Sequence, residues 1–172
     1  MKIKSIIAAA TLALAASSSF AANTVVNLVQ DPLSPSDYTG GFSISHTGAF
    51  TDTFTFTPSF NSSIVSAVLT SIGFNNVTNI DFTSVTINGY SLDIVNGVVD
   101  TASTPAELSI LGPLTLIVSG KPSALNTPSF NASYSGTINV SAVPEPETFA
   151  MLGAGLALVG FAARRRKAAN QA

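Results

Sequence analysis

The sequence predicts an all-β protein: an antiparallel β-sandwich of jelly-roll-like type, with an N-terminal signal peptide and a single C-terminal transmembrane helix. Three observations predict it. Apolar residues in the middle of the chain recur at every second position, the period of a strand with one buried face. Asn-Gly and Gly-Pro pairs break these runs at short intervals, as turns between short strands require. No convincing amphipathic helix and no long repeat precedes the C-terminal tail.

Residues 1–21 read as the signal peptide. Lys2 and Lys4 precede an apolar stretch from Ile6 to Ala16, and small residues follow it directly. Ser19 and Ala21 occupy the small-residue positions of a signal-peptidase site, so the mature chain is expected to begin at Ala22.

Residues 22–143 read as the exported β domain, with about eight to ten short strands. "FSISH" supplies one. In "FTDTFTFT", Phe50, Asp52, Phe54 and Phe56 share one face, and Thr51, Thr53, Thr55 and Thr57 the other. "SIVSAVLTSI" and "NIDFTSVTI" come next. In the latter the apolar phase changes from Ile80 and Phe82 to Val85 and Ile87, which predicts one bulge near Thr83-Ser84. Asn88-Gly89 sits between β-rich runs and predicts a tight hairpin, and Asn96-Gly97 predicts another turn. "LTLIV" follows a Gly-Pro breaker, and "SGTINVSAV" puts Ile138, Val140 and Ala142 on one face. Asp52 is the anomaly, since it points the same way as three phenylalanines. A buried carboxylate needs hydrogen-bond partners, so its expected role is structural: accepting backbone N–H bonds in a neighbouring loop and locking the strand's start, with a calcium ligand or binding-site acid as the alternative.

Residues 144–172 form the tail. Pro144 and Pro146 withhold backbone donors and favour extended neighbours, separating the last strand from the apolar run. Thr148 to Ala163 is uncharged and, as a helix at about 1.5 Å per residue, spans about 24 Å, slightly short of a hydrocarbon core. Arg164, Arg165, Arg166 and Lys167 close it, and the positive-inside rule keeps them cytoplasmic. The signal peptide's lysines predict the same orientation.

Charge and composition exclude several classes. Charged residues are 9% of the chain, and there is no cysteine, which removes thiol nucleophiles, thiolate-ligated zinc and iron–sulfur clusters. Between Ala22 and Val143 only Lys121 is basic, against Asp31, Asp37, Asp52, Asp81, Asp93, Asp100 and Glu107, a net charge of about −6. A body so charged is not a nucleic-acid or anionic-lipid binder. His46 is the single histidine, and no Gly-x-Ser-x-Gly elbow, His-Glu-x-x-His motif or phosphate loop accompanies it, so no enzyme is expected. The scattered acids lack an Asp-x-Asp-x-Asp-Gly loop. Sandwich folds can still gather such residues, so calcium is the one cofactor left open. Tyr38, Tyr90 and Tyr134 offer rings for sugar stacking, although tryptophan is absent. One row of threonines is not the flat array that ice binding would need.

Pro144-Glu145-Pro146, the apolar helix and Arg164-Arg165-Arg166 together resemble the PEP-CTERM sorting signal of Gram-negative bacteria, also known as the ice-binding protein C-terminal domain. That resemblance implies processing by exosortase, a membrane transpeptidase, after transient residence in the inner membrane. The implied destination is the cell surface or the extracellular, biofilm-associated polysaccharide matrix. Phe50-Thr51-Asp52-Thr53-Phe54 also resembles the FxDxF motif of one family of such proteins, as do Gly41-Phe42, His46-Thr47 and Asn88-Gly89. This second resemblance implies no particular activity. The expected function is therefore an exported, exosortase-processed, non-catalytic surface or matrix protein with exopolysaccharide as a further partner. A secreted carbohydrate- or calcium-binding module is the alternative.

Overall fold

The computed structural model describes residues 21–73, 79–123, 131–143 and 146–169. Apart from Ala21, the expected signal peptide lies outside the described residues, Ser19 included, as do Pro144 and Glu145.

The body is mostly β-strand, in two sheets. Its strands are β1 (Asn23–Asn27), β2 (Val29–Asp31), β3 (Ser34–His46), β4 (Phe50–Thr57), β5 (Ser62–Ile72) and β6 (Ile80–Ile87). There follow β7 (Tyr90–Ser91), β8 (Asp93–Val95), β9 (Val99–Ser103), β10 (Leu108–Leu111), β11 (Thr115–Pro122) and β12 (Ala132–Ala142). Helix α1 (Pro146–Ala169) ends the described chain. One sheet has the order β1-β4-β11-β6-β7, the other β2-β3-β12-β5-β9-β8. β9 and β10 share one edge of β5, β9 alongside Val68–Ile72 and β10 alongside Ser62–Val65.

The alternation in β4 is realised as expected. Phe50, Asp52, Phe54 and Phe56 are buried, while the threonines between them face outward. Phe50, Phe54 and Phe56 join Val65, Leu69, Phe82, Val85, Leu116, Val118, Tyr134 and Ile138 in one apolar core fed by both sheets. The predicted bulge is present. Ser119 of β11 pairs with Ser84 and Gly120 with Phe82, leaving Thr83 unpaired. Thr83 and Ser84 are both exposed, and Val85 returns to the core. The Asn88-Gly89 hairpin joins β6 to β7 with φ of 46° and 87°, the two left-handed residues a tight primed turn needs. Asn96-Gly97 lies in the turn between β8 and β9, which pair antiparallel.

Two features differ from the expectation. Twelve strands form among the described residues, because short pieces such as β2, β7 and β8 carry too few residues to show a period. The pairing is also not antiparallel throughout: β1 runs parallel to β4, from Asn23 opposite Thr53 to Asn27 opposite Thr57. The reason is topological. After β1 the chain crosses to the other sheet for β2 and β3 and then returns, so β4 enters beside β1 in the same direction.

Candidate functional site

β4 carries Asp52 into the core between Phe50 and Phe54, and the carboxylate is wholly buried there. It is saturated with donors. His46 Nε2, at the end of β3, lies 2.7 Å from Oδ2. The Tyr134 hydroxyl, from β12, donates to the same oxygen at 2.7 Å. The backbone N–H of Ala22 donates to Oδ1 at 3.0 Å. Asp52 belongs to one sheet while His46 and Tyr134 belong to the other, so this is a polar joint across the core. Burial first, and then the Asp52 carboxylate beside it, push the Tyr134 hydroxyl far above the ordinary tyrosine range, so it stays a neutral donor.

Aromatic rings wall the joint. The His46 ring stacks on Phe50 with centroids 3.7 Å apart and planes 6° from parallel. Phe50 in turn lies parallel to Tyr134 at 5.5 Å. Phe54 and Phe82 meet Tyr134 edge-on, at 6.4 and 5.7 Å. Phe50, Asp52 and Phe54 are thus brought together as a packing and hydrogen-bonding unit. Asp52 is met by one backbone donor, Ala22 N, and by two side chains, His46 and Tyr134, which its sequence position did not indicate. His46 is a buried hydrogen-bonding residue, and Tyr134 is a core residue with no face for a sugar.

A second buried carboxylate went unrecognised in the sequence. Asp100, on β9, accepts from Gly97 N at 2.7 Å and from Asn79 Nδ2. Burial pushes its carboxyl up, and the bonds from Gly97 and Asn79 pull against that. Its readable signal is local: a carboxylate three residues after a glycine turn.

On the outer face, β2, β3 and β12 border an open cleft of about 580 Å³. Tyr38 borders it half-buried, but its ring packs against the core, 4.8 Å from Phe60, with its hydroxyl 3.2 Å from Gln30 Nε2. Asp37 accepts from Ser34 and Ser141, each at 2.6 Å. These bonds, Ser141 first, hold its carboxyl below the ordinary aspartate value. Asp31, Glu107 and Asn139 add polar groups to the walls. Tyr90 is exposed elsewhere, on β7. Among the described residues no three acids or histidines converge as a metal site would need.

The tail is a helix from Pro146, a residue suited to the first turn because its missing N–H has no partner there anyway. Its described side chains, from Phe149 to Arg164, are all exposed, among them Phe149, Met151, Leu152, Leu156, Leu158 and Val159. Arg165 and Arg166 lie on the same helix. Among the described residues no helix is long and apolar enough to cross a membrane.

A two-sheet all-β body with a C-terminal sorting tail is the class these features define. The tail is the PEP-CTERM protein-sorting motif, whose family model matches residues 142–167. That motif is a signal recognised by exosortase, and it implies export, a membrane-anchored precursor and processing to the cell surface. No curated protein matches the sequence. Among solved structures, a crystal structure of Aeromonas hydrophila PliG, a periplasmic lysozyme inhibitor of g-type lysozyme, is similar at 13% identity with a TM-score of 0.36. The match covers 71% of this chain and 100% of that one.

Proposed function

We propose that the protein is an exported, non-catalytic component of the cell surface or biofilm matrix of a Gram-negative bacterium. Signal peptidase frees its N-terminus at Ala22, α1 holds it in the inner membrane, and exosortase acts near Pro144-Glu145-Pro146. The observation that carries this reading is the sorting motif at residues 142–167, which begins at the last residue of β12. Val143 N still donates to Ser62 O at 3.0 Å, so the body's hydrogen bonding reaches the threshold of the motif. A cut beyond it removes the tail without opening a sheet.

The apolar side chains exposed around α1 support a lipid environment, with the basic residues from Arg164 onward at its cytoplasmic side. On this reading the body is a jelly-roll-like sandwich, modified at the parallel pairing of β1 with β4. The FxDxF residues Phe50, Asp52 and Phe54 serve its stability, not catalysis.

Mass spectrometry of the surface form, from cells with and without exosortase, tests the proposal. We expect a chain starting at Ala22 that loses α1 only when exosortase is present. A full-length cytosolic chain with both ends intact refutes it.

The Tyr38 cleft favours one second reading, a carbohydrate-binding module. The carboxylates of Asp31, Asp37 and Glu107 and the Asn139 amide on its walls suit the hydroxyls of a neutral sugar, with Tyr38 bordering them. Polysaccharide pull-down with the surface form checks it: Tyr38→Ala abolishes capture if the cleft binds, and undiminished capture rejects the cleft. The calcium variant of that reading has no comparable support.

A further inference from the structure

We propose that Asp52 is the seat of the mature chain's own α-ammonium group, created when signal peptidase cuts between Ala21 and Ala22. The inference rests on the export reading above and adds what the cut does to the fold. The cut is a hydrolysis. Water adds across the Ala21–Ala22 bond, leaving a carboxylate on the released peptide and, at neutral pH, an ammonium on Ala22.

The geometry for that group already exists. Ala22 N lies 3.0 Å from Asp52 Oδ1. The carbonyl of the same residue accepts from Thr53 N at 2.8 Å, so adjacent residues of β4 grip both ends of Ala22. The parallel register then runs on from Asn23 opposite Thr53, which prevents slippage. A slip of one residue would carry the amine about 3.3 Å along the strand and turn it to the other face. Ala21 is exposed and Ala22 half-buried, so the scissile bond lies where the chain leaves the body.

The seat also answers a question of charge. Asp52 is wholly buried, and Tyr134 reaches it as a neutral donor. A backbone amide at Ala22 would supply one more neutral donor, whereas the ammonium supplies a full positive charge. The titratable groups facing this amine are Asp52 on β4, His46 at the end of β3 and Tyr134 on β12.

A neighbouring carboxylate raises an amine's pKa above its ordinary value of about 8. Stability from the pair is then fully present below about pH 8 and lost as pH rises through the folded value. Each unit of upward shift corresponds to about a tenfold larger folded-to-unfolded ratio at neutral pH.

The test compares the surface-purified protein with a form carrying two extra residues between Ala21 and Ala22, whose Ala22 nitrogen remains an amide. His46, Asp52 and Tyr134 are unchanged in both, so their own titration is common to the two. N-terminal sequencing comes first, and melting temperatures between pH 6 and pH 10 are then compared. We expect the native form to start at Ala22, to melt about 4 °C higher at pH 7, and to lose that advantage by pH 10. Asp52→Asn should abolish the alkaline loss. Parallel pH profiles with a confirmed Ala22 terminus overturn this inference while leaving the export reading intact. A native terminus other than Ala22 overturns the seat and the assigned cleavage position together.

Discussion

In Asp52→Ala the carboxylate disappears while its donors stay in place. The Tyr134 hydroxyl and the His46 Nε2 are then left in a sealed core, walled by Phe50, Phe54 and Phe82. A buried donor without an acceptor costs about 1–3 kcal/mol. Ala22 is half-buried just before β1, so water can reach its nitrogen once the acceptor is gone. Relief of the buried charge offsets part of the loss. We therefore expect a net destabilisation of about 3–4 kcal/mol, which lowers the melting temperature by about 10–15 °C in a domain of this size. Asp52→Asn should lose less. Its Oδ1 still accepts from Ala22, and its amide can donate to the tyrosine oxygen and to a re-tautomerised His46. Thermal melting with urea titration as a second measure decides the matter. An Asp52→Ala melting temperature within about 2 °C of the native value, or an Asn variant less stable than the Ala variant, would show that the joint does not hold the sheets together.

Three further outcomes rest on local geometry. A Cβ on Gly120 would lie 2.9 Å from both the Asp81 carbonyl oxygen and Phe50 Cζ, so Gly120→Ala should cost about 1–3 kcal/mol by overpacking, seen as a lower urea midpoint. Gly89 has φ of 87°, and Gly89→Val should cost about 1–2 kcal/mol in the same assay, because a β-branched residue is strained there. Hydrogen bonds from Ser141 and Ser34 depress the Asp37 carboxyl, so its contribution is present above the ordinary value of 3.8 and is lost as pH falls through the folded value. The stability gap between the native chain and Asp37→Asn should accordingly close on acidification below 3.8, as followed by melting temperature.

Much of the architecture was legible because it is written at short range. The Phe-Thr alternation of β4 follows from strand pleating alone, and the change of apolar phase after Phe82 required a bulge wherever that strand came to lie. Asn88-Gly89 signalled its hairpin because few residue pairs tolerate two left-handed conformations. Asp52 could be recognised as needing partners, since its neighbours fixed its face. The partners themselves were illegible. His46 is six residues away, but Tyr134 is 82 residues away and sits on the opposite sheet. The Asn79–Asp100 contact, across 21 residues, was hidden for the same reason.

By itself, then, the sequence determined the strand period, the turns, the bulge and the C-terminal sorting tail. Each depends only on covalent geometry, on side-chain size or on the polarity of a contiguous run. The tertiary structure alone decided that β1 would lie parallel to β4, that Tyr38 would border a cleft, and that Tyr134, His46 and Ala22 would converge on one carboxylate. Those outcomes depend on which strands of two facing sheets come into register, and that is settled by the packing of the whole core.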